Sequence, residues 1–194
     1  YIPERPHAQQ MKLLRGERKG DVWIAGREYF VYRQMEWKPN LIKEWKDIGY
    51  IPVVLAVREG NPAGIGGWID LTTHVWVSPD PETGGALGAT PPYIIKQILG
   101  EDMMRQAWLK WYKVPGEIGA ATQVYREVFK ANPDIDVVML DEMQCINLVK
   151  QGEKIDWVLP IEGTLIEGYA VILLSENPEA RKFYDFLSSC SSID

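Results

Sequence analysis

Tyr50-Ile51-Pro52-Val53-Val54-Leu55-Ala56-Val57, followed by Arg58-Glu59-Gly60-Asn61-Pro62-Ala63-Gly64-Ile65, is the stretch around which the chain is arranged. Its first part is apolar and rich in branched side chains, which reads as a buried strand. Gly60-Asn61-Pro62 is a turn that stops it. Beyond Trp68-Ile69-Asp70-Leu71, residues Thr73 to Ser78 alternate. Thr73, Val75 and Val77 fall on one face of a second strand, and His74, Trp76 and Ser78 on the other. Pro79-Asp80-Pro81 then leads into a glycine-rich bend.

The 194 residues suffice for one large domain or two small lobes sharing a hinge. Apolar residues make up 46% and charged residues 25%, an ordinary globular balance. A formal net charge of −6 argues against a nucleic-acid surface, which needs clustered Lys and Arg. The basic run Lys12 to Lys19 is broken by Gly16 and Glu17 and reads as a helix end. No apolar run approaches the roughly 20 residues that span a bilayer. The two cysteines, Cys145 and Cys190, lack metal-ligand spacing; one disulfide and two free thiols are both open.

Helices are expected at His7–Arg15, Tyr29–Met35 and Leu41–Asp47, with a short strand at Asp21–Gly26 between the first two. Thr90-Pro91 reads as a helix start, with Thr as N-cap and Pro in the first helical position. Glu101–Tyr112 places Met104, Ala107, Trp108 and Trp111 on one stripe, and Ala121–Ala131 does the same with Val124, Tyr125 and Val128. Strand Ile135–Leu140, helix Glu142–Gln151 closed by Gly152, and strand Ile155–Leu159 follow. Tyr169–Leu174 is a second strand like the first. Asn177 opens the last helix, with Ala180, Phe183 and Leu187 as its buried stripe. Strands alternating with helices imply an α/β fold with mainly parallel sheets.

The order of these pieces resembles a class II solute-binding protein of ABC transporters. The residues that carry the likeness are Gly60-Asn61-Pro62-Ala63-Gly64-Ile65, Asp70-Leu71, Pro79-Asp80-Pro81, and the final Asn177-Pro178-Glu179-Ala180-Arg181-Lys182-Phe183. The molybdate/tungstate and ferric-iron binders are the nearest branches. The resemblance implies a periplasmic-binding-protein-like II fold of two lobes. Residues 1–58 plus 169–194 form lobe 1 and residues 59–168 form lobe 2. A two-strand hinge joins them at Tyr50–Val57 and Tyr169–Leu174. It also implies a strand, a helix and a second strand ahead of His7; that opening, with its Ser- or His-containing loop, is missing from this sequence.

Three places can carry binding chemistry. The first runs from Asp80 through Thr83, Gly84 and Gly85 to Thr90, where glycines ahead of a helix expose backbone amides at the positive end of a dipole, a setting for an anion. A plain surface loop with a helix cap is the bland reading of the same residues. The second is Asp141-Glu142, directly after a strand, where loops face a cleft. These carboxylates would attract a metal; as helix-start residues they would do no more than favour the dipole. The third is His7, at a helix start; His74 is expected to be partly buried. The adjacent Tyr pair of many ferric-iron binders is absent. Unit charges about 4 Å apart interact by roughly 4 kcal/mol at an effective dielectric near 20, so a misplaced carboxylate opposes a simple oxyanion. A metal-containing ligand, either a metal oxyanion or a metal cation held by Asp141 and Glu142, reconciles the first two places.

No nucleophile elbow, phosphate loop or zinc-protease signature occurs, so no catalytic residue is assigned. The resemblance implies a non-enzymatic, monomeric solute-binding protein that needs no cofactor, works in the periplasm or outside the cell, and passes its ligand to the membrane component of an ABC transporter. The alternatives are the cytoplasmic effector-sensing domain of a LysR-type regulator, which shares the fold, and an enzyme on the same bilobed scaffold.

Overall fold

The computed structural model describes residues 11–13, 15–26, 38–80, 86–114, 118 and 120–189. His7, the expected helix Tyr29–Met35, Thr83, Gly84, Gly85 and Cys190 lie outside them. The chain divides into two compact units, one of Tyr1–Ile51 with Glu167–Asp194, the other of Pro52–Ile166.

The first unit is built on β6 (Ile166–Leu173). Its sequence Tyr169-Ala170-Val171-Ile172-Leu173 is apolar on both faces, and period two sends alternate side chains into different clusters. Ala170, Ile172 and Leu174 pack with Leu13, Trp23 and Ala25. Val171 and Leu173 pack with Ala180 and Tyr184 of α5 (Pro178–Ser189). β1 (Val22–Gly26) pairs antiparallel with β6, Val22 opposite Leu173. Asn177 Oδ1 accepts the Glu179 amide at 3.0 Å and caps α5 as its sequence predicts. The buried stripe of α5 runs through Ala180, Tyr184 and Ser188, while Phe183 is half exposed, because a step of four residues keeps to the sheet side and a step of three drifts off it.

β2 (Glu44–Arg58) begins earlier than expected. The helix expected at Leu41–Asp47 is extended chain: the Lys43 amide donates to the Leu173 carbonyl at 2.9 Å, and Leu41, Ile42 and Trp45 pack on the Trp23 cluster. Tertiary pairing with β6 overrides the local helical pattern.

In the second unit Val53, Val54, Leu55, Ala56 and Val57 are all buried. β4 (Val137–Asp141) flanks them on one edge and β5 (Ile155–Val158) on the other, both antiparallel. β3 (Trp76–Val77) runs parallel to β4. The sheet is open and mixed. Among the described pairs whose register is resolved, only β3–β4 is parallel, so the expectation of mainly parallel sheets is corrected: β2 enters the unit as a long strand opposed to its neighbours, which alternation of strands and helices does not reveal. β3 is also shorter than the alternating run suggested. Thr73 and His74 instead end a 3-10 helix, Trp68–Thr72, and both Trp76 and Val77 are buried. His74 is partly buried, its Nδ1 3.2 Å from Asp136 Oδ2.

The turn after β2 shows why its residues are what they are. Gly60 and Asn61 take positive φ, 78° and 47°. The Asn61 amide side chain closes the loop, donating to the Ile65 carbonyl at 2.8 Å and accepting the Ile65 amide at 3.0 Å. Asp70 then accepts the amides of Gly66 and Gly67, and Glu162 those of Trp68 and Ile69, so the 3-10 helix is held at its start by two carboxylates. The remaining elements are α1 (Ala86–Leu99), α2 (Glu101–Trp108), α3 (Ala121–Val124, continued as a π turn over Tyr125–Phe129) and α4 (Glu142–Lys150). They cover the sheet and complete one apolar core around Trp68, Leu71, Trp76, Phe129 and Leu140.

Leu140→Ala removes a fully buried side chain from β4 and is expected to cost about 2–5 kcal/mol. A urea midpoint unchanged from wild type would show that β4 is not central to this core.

Candidate ligand-binding site

Because β3 and β4 are parallel, with Trp76 opposite Val137 and Val77 opposite Val138, their carboxyl ends open on one edge of the second unit's sheet. Ser78-Pro79-Asp80 leaves from one and Asp141-Glu142 from the other. Two of the three sequence-based candidates therefore meet at one edge, in part: Asp80, Asp141 and Glu142 are described there, whereas Thr83, Gly84, Gly85 and His7 are not among the described residues.

The Ser78 end is tightly built. Ser78 is fully buried; its hydroxyl donates to the Pro79 carbonyl at 3.1 Å and accepts the Trp111 indole N–H at 3.2 Å. Helix α1 returns against the same carbonyls. A Cβ on Gly88 would stand 3.0 Å from the Pro79 oxygen and closer still to the Asp80 carbonyl. α1 starts at Ala86 rather than after an N-cap at Thr90. Pro91 and Pro92 lie inside the helix and supply no N–H to the carbonyls one turn back. Packing of Leu87, Gly88 and Thr90, all buried, holds the first turn instead.

The Asp141 end is occupied by its own helix. Asp141 is 4% exposed and is the N-cap of α4. Its Oδ1 accepts the Gln144 amide at 2.7 Å, and the Gln144 side chain reaches back to the Asp141 amide at 3.4 Å, a capping box. Burial pushes the Asp141 carboxyl above its usual range, against the pull of the Gln144 and Met143 amides. Glu142 Oε1 lies 3.4 Å from the Trp157 indole nitrogen that donates to it. Among the described residues no three His, Cys, Asp or Glu side chains gather as a metal-ion site. Cys145, one turn into α4, is a buried free thiol raised to about 12, first by burial and then by the nearby Asp141 and Glu142 charges.

Elsewhere in this unit a cavity of about 320 Å³ is lined by Arg58, Tyr125, Phe129, Lys130 and Glu153. Its charges serve the fold. Arg58 caps the end of the π turn through the carbonyls of Phe129 and Asn132 at 3.1 and 2.7 Å, and lies over the Phe129 ring at 4.6 Å. Lys130 pairs with Glu153 at 2.7 Å. The edge at Ser78 and Asp141 is the better candidate. Sequence reasoning missed the part played by Ser78 and Trp111; nothing in local spacing shows that residues 33 positions apart share a hydrogen bond.

Open mixed sheets in an α/β chain of two units place the protein in the class of periplasmic-binding-protein-like folds. Residues 3–191 match the family model of bacterial extracellular solute-binding proteins, and the chain belongs to that family. Its function is solute capture for transport, which favours that reading over a LysR-type effector domain. Solute-binding proteins of ABC transporters deliver their ligands to membrane components. No helix among the described residues is long and apolar enough to cross a membrane. A search of curated proteins gives no match.

Solved structures share the fold at low identity. The sulfate-binding protein SubI from Mycobacterium tuberculosis H37Rv is 20% identical, with 93% of this chain and 67% of that chain covered at a TM-score of 0.74. A protein described as the substrate-binding domain of a molybdenum ABC transporter from Clostridium difficile is 20% identical over 94% of this chain and 76% of that one, TM-score 0.63. Peb3 from Campylobacter jejuni is 13% identical over 93% and 78%, TM-score 0.65, and a further structure of Peb3 holds L-phospholactate.

Gly88→Ala forces a methyl into backbone carbonyls that cannot swing aside; a loss of about 1–3 kcal/mol is expected in chemical denaturation. A variant as stable as wild type would mean that α1 does not press on the Pro79-Asp80 turn.

Asp141 gives a pH signature. Its folded carboxyl is raised above 3.8, so its contribution to stability is fully present below that value and is lost as pH rises through the raised one. Asp141→Asn keeps a cap-competent oxygen without the charge. The thermal midpoint of wild type relative to this variant is expected to fall as pH rises from about 3.5 toward neutrality. A wild-type advantage that grows with pH instead would show the carboxylate is favoured in the fold.

Proposed function

We propose that this chain captures a small oxyanion outside the cytoplasm for the membrane component of an ABC transporter. The observation that carries the reading is the geometry at the edge of β3 and β4. Helix α1 brings its positive end back to the Pro79-Asp80 turn, while the first amides of α4 are taken by Asp141. The anion then belongs at α1, with the backbone amides of Thr83, Gly84 and Gly85 as its proposed donors. Asp80 starts the loop.

The conflict of charge at this edge eases because the Asp141 carboxylate serves α4. Sulfate and the metal-centred oxyanions molybdate and tungstate are then the ligand class, and a bare metal cation is disfavoured. The sulfate, molybdenum and L-phospholactate named for the structural neighbours support an anion. The monomer is the working unit.

Calorimetric titration with sulfate, molybdate and tungstate tests this. Saturable binding of at least one is expected. Gly85→Val, which blocks close backbone approach, is expected to weaken it by roughly tenfold, the effect of losing one hydrogen bond to a charged group. Binding of a divalent metal cation with no oxyanion binding would overturn the proposal. Loss of molybdate but not sulfate binding in Glu142→Gln would return a metal-facing role to that carboxylate.

A further inference from the structure

We propose that the cavity at the far end of β2 is a second binding site, one that takes a small carboxylate carried on an apolar body. It is independent of the oxyanion reading. Val53, at the start of the buried run, pairs with Asp141, whereas Arg58 at its end pairs with Ile155. Those two ends of the strand are about 16 Å apart, so the cavity does not belong to the edge at Ser78 and Asp141.

A departure from regular helix builds one wall. Helix α3 continues as a π turn, in which the Lys130 amide donates to the Tyr125 carbonyl at 2.9 Å. In an α-helix, residues five apart point about 140° away from each other. The wider turn brings Tyr125 and Lys130 to one side, and both reach Glu153. The phenol donates to Oε2 at 3.1 Å, and Lys130 Nζ donates to Oε2 and Oε1 at 2.7 and 3.0 Å. Burial first, then the bond to Glu153, raises the phenol to about 12, so it keeps its proton and donates it. Lys130 is the main cause that holds the Glu153 carboxyl below its usual range. Glu153, the one acid among the lining residues, is thereby engaged. Single π turns inside helices recur at functional sites.

The positive charge is not balanced in the same way. Three cations, Arg58, Lys130 and Lys154, line the cavity against one carboxylate, on a chain whose formal net charge is −6. Arg58 is half-buried. Its Nη2 donates to the carbonyls of Phe129 and Asn132, and more weakly to that of Ile135 at 3.5 Å. Those bonds serve the fold through neutral acceptors. Among the described residues no carboxylate pairs with Arg58, and its Nη1 and Nε donate to no protein atom. Lys154 meets Glu59 at 3.8 Å with both side chains largely exposed, a contact that contributes little and leaves the ammonium able to turn. A partly dry guanidinium with spare N–H groups is a strong partner for an anion. The rest of the wall is apolar: Tyr125, Ile155 and Phe129, whose ring lies against the guanidinium. At about 320 Å³ the space falls within the range of small-molecule pockets. An inorganic anion would satisfy Arg58 and leave the apolar wall wet. A neutral apolar molecule would cover the wall and leave the N–H groups unpaired, which is costly. A carboxylate on an apolar body answers both.

The test titrates the whole chain with benzoate and follows backbone amide shifts by NMR, with benzamide as the neutral counterpart and sulfate as the inorganic one. Benzoate is expected to saturate with a Kd of about 1 mM or tighter, the affinity open to so small a ligand. It is expected to move the amides of Gly152, Glu153 and Lys154 and to leave those of Val77 and Ser78 in place. Benzamide is expected to bind roughly tenfold more weakly, the scale of a hydrogen bond to a charged group. Arg58→Gln is expected to weaken benzoate by about tenfold and to lower the thermal midpoint, since its carbonyl partners lose their donor. Lys154→Gln changes an exposed side chain that bonds no part of the fold, and it carries the test should Arg58→Gln fail to fold; a loss of about threefold is expected. Absence of saturation, shifts centred away from Gly152 to Lys154, benzamide or sulfate acting at these amides as strongly as benzoate, or unchanged affinity in Lys154→Gln would each overturn the site. None of these outcomes touches the oxyanion reading, which stands or falls on its own titrations.

Discussion

Burial of β2 on both faces is the constraint on which the rest of the second unit depends. Val53 to Val57 have no solvent-facing side, so each of their edges and faces must be covered. β4 and β5 take the two edges and the helices take the faces. Fully burying a side chain such as Val or Leu contributes about 1.5–3 kcal/mol, which makes this short run a strong organiser for its length. The position of β4 follows from that pairing, the parallel β3 follows from β4, and the edge where Ser78 and Asp141 emerge follows from both.

Two helices start at that edge. α4 satisfies its own first amides with Asp141 and Gln144, a closed arrangement that leaves a buried carboxylate close to the edge. α1 begins against a turn of backbone carbonyls after a glycine-rich stretch. Its first turn is held by contact with Pro79 and Asp80 and is followed by two prolines that break the helical ladder. The low dielectric that raises the Asp141 carboxyl would also strengthen hydrogen bonds to an anion lodged nearby.

Much of this was legible in residue order. Gly60 to Ile65, Asp70 and the Asn177 cap perform local tasks, and local tasks leave local signatures: a positive φ, a side chain closing on its own backbone, a cap. The stripes of α2 and α3 were read from their spacing for the same reason. The errors share a cause. Leu41 to Asp47 has a helical pattern but is drawn into a strand by the carbonyl of Leu173. Phe183 is expected on the buried stripe of α5, but the sheet takes Tyr184 and leaves Phe183 half exposed. Strand direction was inferred from alternation, and it was β2 crossing from one unit to the other that reversed it.

The sequence by itself determined most of the strands, the turn at Gly60 to Ile65, the Asn177 cap and the α/β class, because periodicity and short-range hydrogen bonding are written in neighbouring residues; the likeness to a solute-binding family rested on the motifs that carry the resemblance. Only the tertiary structure decided that Asp141 caps a helix rather than lying open at the edge. It alone brought Gly88 against Asp80 and joined Trp111 to Ser78. The physical reason is distance along the chain. A buried carboxylate, a missing Cβ and an indole N–H acquire their meaning from the atom they meet, and that atom is supplied by the way the sheet and its helices pack.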